Sequence, residues 1–122
     1  MILADTSVWI DHLRSGDPQL SSLLEAASVL SHPFVIGEIA MGNLCQRTAI
    51  LSALSALPRA EVATEDEVLH FIQHKQLAGL GIGYVDAHLL AATLLTPGSA
   101  LWTRDQRLKS VAARLTIASQ HD

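Results

Sequence analysis

Four carboxylates sit in this chain where local structure gives them little reason to be, and their types and spacing allow one kind of chemistry. Asp5 ends the apolar run Ile2, Leu3, Ala4, and Asp105 follows the apolar run 100–102 by only Thr103 and Arg104. Glu38 is surrounded by Val35, Ile36, Ile39, Ala40 and Met41, and Asp86 shares a helical face with Leu89 and Leu90. An isolated ionised carboxylate among such neighbours is costly, so Glu38 is expected to have a partner, reach a cleft or bind a cation. Clustered carboxylates repel and partly retain protons unless a divalent cation offsets their charge. Cys45 is the only cysteine and there is no Cys–His ligand spacing, so an oxygen-only set favours Mg²⁺ or Mn²⁺ over zinc. The competing accounts are local: Asp5 as a turn residue, Asp105 as a first-turn partner of the helix dipole after a Thr103 cap, and Asp86 as a third-position acid of a helix begun at Gly83.

To converge, these residues need elements that deliver them to one place. The run 2–4 has no polar face, the pattern of a strand buried on both sides of a parallel sheet, and it is expected to be central. Thr6 or Ser7 is placed to cap a helix through "VWIDHLR", and Pro18 to begin another through "QLSSLLEAA". "SVLSHP" reads as a strand, after which Pro33 opens the helix "PFVIGEIAMGNL". Residues 44–57 carry Ile50, Leu51, Leu54 and Leu57 on one helical stripe that Pro58 ends.

A brief strand is expected at 59–62. Thr64 with Glu67 three residues later then forms a capping box that starts a helix through Val68, Phe71 and Ile72. A glycine-rich turn precedes a helix from 84 to 95, which a Pro-Gly pair stops. "SALWT" reads as a strand, "RDQRLKSVAAR" as a helix with Thr103 as its cap, and "LTIA" as a last strand. Helices alternating with short apolar strands predict an α/β fold, a three-layer α/β/α sandwich with a mainly parallel sheet of four to five strands. In such sheets ligands bind beyond the carboxyl ends of the strands, the edge at which Asp5 and Asp105 both arrive.

A chain of 122 residues suits one domain spanning 1–122, and at 49% hydrophobic but 4% aromatic its core must be aliphatic. The net charge of −4 argues against a polyanion binder that relies on bulk positive charge. Yet four of the eight cations, Arg104, Arg107, Lys109 and Arg114, fall in one short segment. There is no signal-peptide pattern and no apolar run of the ~20 residues that a membrane span requires, so a cytoplasmic, membrane-free protein is expected.

"LADTSVWIDHLR", the lone glutamate of "VIGEIAMGNL", "GLGIGYVDAHLLAA" and "LWTRDQRL" together resemble, in order and over residues 1–108, the successive signatures of PIN-domain ribonucleases. The resemblance is specifically to the VapC-type toxins of bacterial toxin–antitoxin pairs. It implies a metal-dependent endoribonuclease in which Asp5, Glu38, Asp86 and Asp105 form the acidic site. Asp5 and Asp86 would be the most direct ligands of Mg²⁺ or Mn²⁺. Thr6 and Ser7 match the family's hydroxyl positions after the first acid, and Thr103 the one before the fourth. Capping remains an equal account of all three hydroxyls.

Arg104 and Arg107 are placed to hold substrate phosphates. The resemblance further implies a cognate VapB-type antitoxin, an RNA substrate and a homodimer, with the stripe Ile50, Leu51, Leu54, Leu57 serving either as a groove for the antitoxin or as core. Two other readings of the same acids are a receiver-like phospho-accepting domain, which leaves Glu38 and Asp86 without a task, and a catalytically silent α/β interaction module.

Overall fold

The computed structural model describes residues 1–122. Its sheet has three strands, β1 (Ile2–Ala4), β2 (Val29–Leu30) and β3 (Ala100–Trp102), in the order β2-β1-β3 and all parallel. β1 is central, as its two-sided apolar character requires, with Leu3 opposite Leu30 on one side and Leu101 on the other. The expected fourth and fifth strands shrink to single bridging residues. Arg59 pairs with Ser31 beside β2, and Ala118 pairs with Leu101 beside β3. Each segment makes its few ladder bonds and then turns away, so five segments are aligned where only three are strands.

Seven helices surround the sheet: α1 (Thr6–Ser15), α2 (Pro18–Glu25), α3 (Pro33–Ala40), α4 (Arg47–Ser55), α5 (Glu65–His74), α6 (Tyr84–Leu95) and α7 (Gln106–Arg114). The starts of α2 and α3 use Pro18 and Pro33 in the first turn, where the missing N–H is no loss. The Thr64–Glu67 capping box of α5 is present in both directions. α4 begins three residues later than the apolar stripe suggests, because Gln46 adopts a left-handed backbone that stops any helix from running through it.

The caps of α1 and α7 differ from expectation. Asp5 and Asp105, not Thr6, Ser7 or Thr103, are the N-cap residues. A carboxylate accepts from two backbone N–H groups at once and outcompetes a neighbouring hydroxyl for that position.

The main core joins Leu3, Val8, Leu20, Val29, Leu89, Leu90, Leu101, Trp102 and Leu108, all essentially without exposure. A smaller cluster of Ala63, Val68, Ala87 and Ala91 binds α5 to α6. α1 packs on β1 and α3, α3 on α4, and α6 on β3 and α5. Of the apolar stripe, Leu54 on α4 is buried, and Ile50 and Leu51 on α4 and Leu57 just beyond it pack against the main core. No helix is long and apolar enough to cross a membrane.

Candidate functional site

Parallel pairing of β1 with β3 puts their carboxyl ends side by side, and Asp5 N–H donates to the Trp102 carbonyl at 3.0 Å. Asp5 is therefore the first residue past a central strand and simultaneously the cap of α1, 6% exposed. Its Oδ1 accepts from the backbone N–H of Ser7 (3.0 Å) and Val8 (3.4 Å) and from the Ser7 hydroxyl at 2.5 Å. Its Oδ2 accepts from the Thr103 hydroxyl at 2.6 Å, across 98 residues of chain. Thr103 and Ser7 in turn accept from the N–H groups of Asp105 and Arg104, at 3.0 and 3.1 Å. The two hydroxyls thus tie the ends of β1 and β3 together through Asp5 rather than capping helices.

The other acids are each anchored by one oxygen. Asp105 Oδ1 accepts from the N–H groups of Arg107 and Leu108 at 2.9 and 3.0 Å. Asp86, third residue of α6, accepts from Gly83 N–H through Oδ2 at 3.0 Å. Glu38 Oε1 accepts from the Thr6 hydroxyl at 2.6 Å, which joins the middle of α3 to the first residue of α1. In all three the second oxygen has no donor from the protein, and in Asp5 the Oδ2 oxygen retains one free lone pair. For Asp86 and Asp105 the helix start holds one oxygen and leaves the other without a donor, whereas both oxygens of Asp5 are bonded and Glu38 is held by the Thr6 hydroxyl.

Glu38 corrects one step of the sequence argument. It is exposed, because Phe34, Gly37 and Glu38 form a solvent-facing strip on α3 that the apolar composition conceals, so no desolvation cost compels it to find a partner. Its link to Thr6 places it beside the other acids all the same.

Electrostatics report the same proximity. The Asp86 carboxyl is pushed above its ordinary value, first by burial and then by the charges of Asp5, Asp105 and Glu38, against the lowering bond from Gly83. Asp5 is also raised: burial outweighs its four lowering hydrogen bonds. Oxygen-only donors with free lone pairs and unrelieved mutual repulsion fit a hard dication in their chemistry. The cluster is open, however: no three Asp, Glu, His or Cys side chains are close enough to form a ligand set by themselves.

The two arginines part company. The Arg104 guanidinium donates to Asp11 at 2.6 Å, to Asp17 and to the carbonyl of Asp122, with its carbon 5.5 Å from the centre of the Trp102 ring. That side chain is committed to holding α1, the start of α2 and the C-terminus together. Its partners were missed in the sequence because they lie 87 and 93 residues away. The Arg107 guanidinium has no acceptor in the protein and lies over the Cα of Gly81, where an added Cβ would be 2.7 Å from Arg107 Cδ. His88 is buried, packed between the rings of Phe34 and Tyr84 at 4.6 Å from each.

Two recesses open among these elements. One, of about 590 Å³, runs between α1, α3 and the start of α4 and includes Glu38, Ile10, Leu13, Arg14, Leu44 and Ile50. The other, of about 330 Å³, lies between Leu80 and the α7 face that carries Arg107, Ser110 and Arg114.

Comparison with known proteins agrees with this architecture. A family model described as PIN domain matches residues 2–114. Ribonuclease VapC32 of Mycobacterium tuberculosis (strain CDC 1551 / Oshkosh) is 47% identical over 118 residues, covering 97% of this chain and 95% of that protein. The protein of the same name from strain ATCC 25618 / H37Rv has the same identity and coverage.

Proposed function

The chain belongs to the PIN-domain family and is of the VapC type, and from that membership we propose that it is a metal-dependent endoribonuclease acting as the toxin of a toxin–antitoxin pair. What supports the reading is four carboxylates from distant parts of the chain: Glu38, Asp86 and Asp105 each keep one oxygen without a protein donor, and Asp5 lies at the carboxyl end of the central strand. Asp5 and Asp86 would hold Mg²⁺ or Mn²⁺ most directly, with Glu38 and Asp105 completing the set. When bound, the ion supplies a water of lowered pKa and offsets charge on the phosphate.

The protein's own residues prepare that site. Ser7 and Thr103 fix both oxygens of Asp5, Thr6 aims Glu38, and Gly83 orients Asp86, so that the acids are in place before substrate arrives. Arg107 is the available cation for a substrate phosphate. Arg104, considered for the same task, serves structure instead. We further propose a cytoplasmic homodimer and a VapB-type antitoxin, one segment of which occupies the recess beside Glu38, where Ile10, Leu13, Leu44 and Ile50 offer apolar area and Arg14 a charge. Only Ile50 of the α4 stripe contributes there.

Cleavage of RNA by the parent and by Asp5→Asn, with Mn²⁺ or Mg²⁺ and with chelator, tests the reading. The parent cleaves only with metal and Asp5→Asn does not, although Asn retains the cap and the variant stays folded. Metal at a hundredfold excess over its dissociation constant raises the parent's melting temperature by the equivalent of about 2.7 kcal/mol. Asp5→Asn lacks that gain. Cleavage that persists in chelator or in Asp5→Asn overturns the proposal.

A further inference from the structure

The recess beside α7 has a composition at odds with the rest of the molecule. In a chain of net charge −4, its six lining residues, Leu80, Gln106, Arg107, Ser110, Val111 and Arg114, include two arginines and no acid. Arg107 and Arg114 are both exposed and lie seven residues apart, about 10.5 Å along the helix axis, with Ser110 between them. The Arg107 guanidinium has no protein acceptor, and Arg114 uses one nitrogen on the Lys75 carbonyl at 2.8 Å and keeps the others free. The opposite bank is apolar at Leu80.

The two banks of this recess are the same two segments that carry half of the acidic cluster. Residues 79–83 end in Gly83, whose N–H holds Asp86, and α7 is capped by Asp105, which holds the N–H of Arg107. The Arg107 end of the recess is thus the end nearer Asp105, whose Oδ1 accepts the Arg107 N–H.

We propose that this recess is a phosphate-binding subsite for the single-stranded RNA segment adjoining the scissile bond, with Arg107 and Arg114 gripping successive phosphates and Gly81 setting the path of Arg107. The proposal rests on the nuclease reading above and specifies where its substrate lies. Single strands suit the recess, because guanidinium groups take phosphate oxygens while Leu80 and Val111 meet sugar or base faces. Gly81, at φ +80°, serves twice. It makes a turn that side-chain-bearing residues rarely adopt, and it leaves the space that Arg107 fills, since a Cβ would also be 2.9 Å from its Nη1.

Binding of a labelled short single-stranded RNA to the full chain in chelator, followed by anisotropy across a salt series, tests this. Arg107→Gln and Arg114→Gln each weaken binding about fivefold near 50 mM salt, and each lowers the slope of log affinity against log salt by about 0.7. Gly81→Ala behaves as Arg107→Gln. Because the Arg107 guanidinium makes no hydrogen bond within the protein, its variant keeps the parent's melting temperature and remains informative even if Gly81→Ala or Arg114→Gln is destabilised. Parent affinity and slope in both glutamine variants, together with metal-dependent cleavage by the parent, would overturn the subsite and leave the nuclease intact. A parent that neither binds nor cleaves RNA overturns both. Arginine-dependent binding of a polyglutamate peptide with RNA binding unaltered overturns the subsite in favour of an acidic protein partner.

Discussion

At Asp86 the free protein works against itself. Burial and the charges of Asp5, Asp105 and Glu38 raise its carboxyl above the ordinary carboxylate range, and burial raises Asp5 too. Between the ordinary carboxylate value and the raised one, the folded chain holds protons that the unfolded chain has released. The unfolded state then binds fewer protons, so stability falls as pH rises through that window and stays lower at neutral pH. Asp86→Asn keeps the acceptor for Gly83 N–H and removes the charge. In the absence of metal it should therefore be more stable than the parent at pH 7, by less than about 1 kcal/mol because the group is only half-buried, and show no gain at pH 3. Urea unfolding at the two pH values measures this, and an equal shift at both would show that charge is not the cause. At this scale the sequence was informative about which residues matter but not about their local bonds. Asp5 and Asp105 read as strand-end acids with hydroxyl caps nearby, whereas the carboxylates take the cap and the hydroxyls tie them together.

Among the elements, α3 depends on an unusual cap. His32, fully buried, accepts the Phe34 N–H through Nδ1 at 3.0 Å, and its Nε2 has no partner. Burial, with the nearby charges of His88 and Arg59, lowers its pKa from 6.5 to about 4. Protonation would turn Nδ1 into a donor facing another donor. Stability from His32 is thus complete above 6.5 and lost as pH falls toward 4, about 2 kcal/mol of it between pH 7 and 5. His32→Asn supplies a cap without titration. The unfolding free energy of the parent should fall by about 2 kcal/mol more than that of the variant over this interval.

The same helix shows why element boundaries were only partly legible. The start of α3 at Pro33, the Thr64 capping box and the whole of α6 follow from local chemistry and were readable. The left-handed turn at Gln46 and the shrinkage of two expected strands to bridges at Arg59 and Ala118 depend on how many partners each segment meets in space, which local pattern does not encode.

Over the whole molecule, Arg104 joins parts that no local signal relates: α1 through Asp11, the start of α2 through Asp17 and the C-terminus through the Asp122 carbonyl. Asp17 is the less exposed acid, and its carboxyl is held below the usual range by the Leu20 N–H and Arg104, bonds that outweigh its desolvation. Arg104→Ala should cost about 1–2 kcal/mol in thermal or urea unfolding, and Arg104→Lys should recover only part of it, because an ammonium cannot span both carboxylates as a planar fork does. RNA cleavage per folded molecule should be little changed in either, in keeping with a bracing role.

The C-terminal tail has one more role. Ile117 and Ser119 exchange hydrogen bonds with Leu101, at 2.7 Å from Leu101 N–H to the Ile117 carbonyl and 2.8 Å from Ser119 N–H to the Leu101 carbonyl. Those bonds occupy the outer flank of β3, which would otherwise offer unpaired amides and carbonyls to any passing chain. A protein truncated after Arg114 should therefore keep its acidic residues yet self-associate into sheet-rich aggregates on concentration, and light scattering of the shortened chain would reveal it.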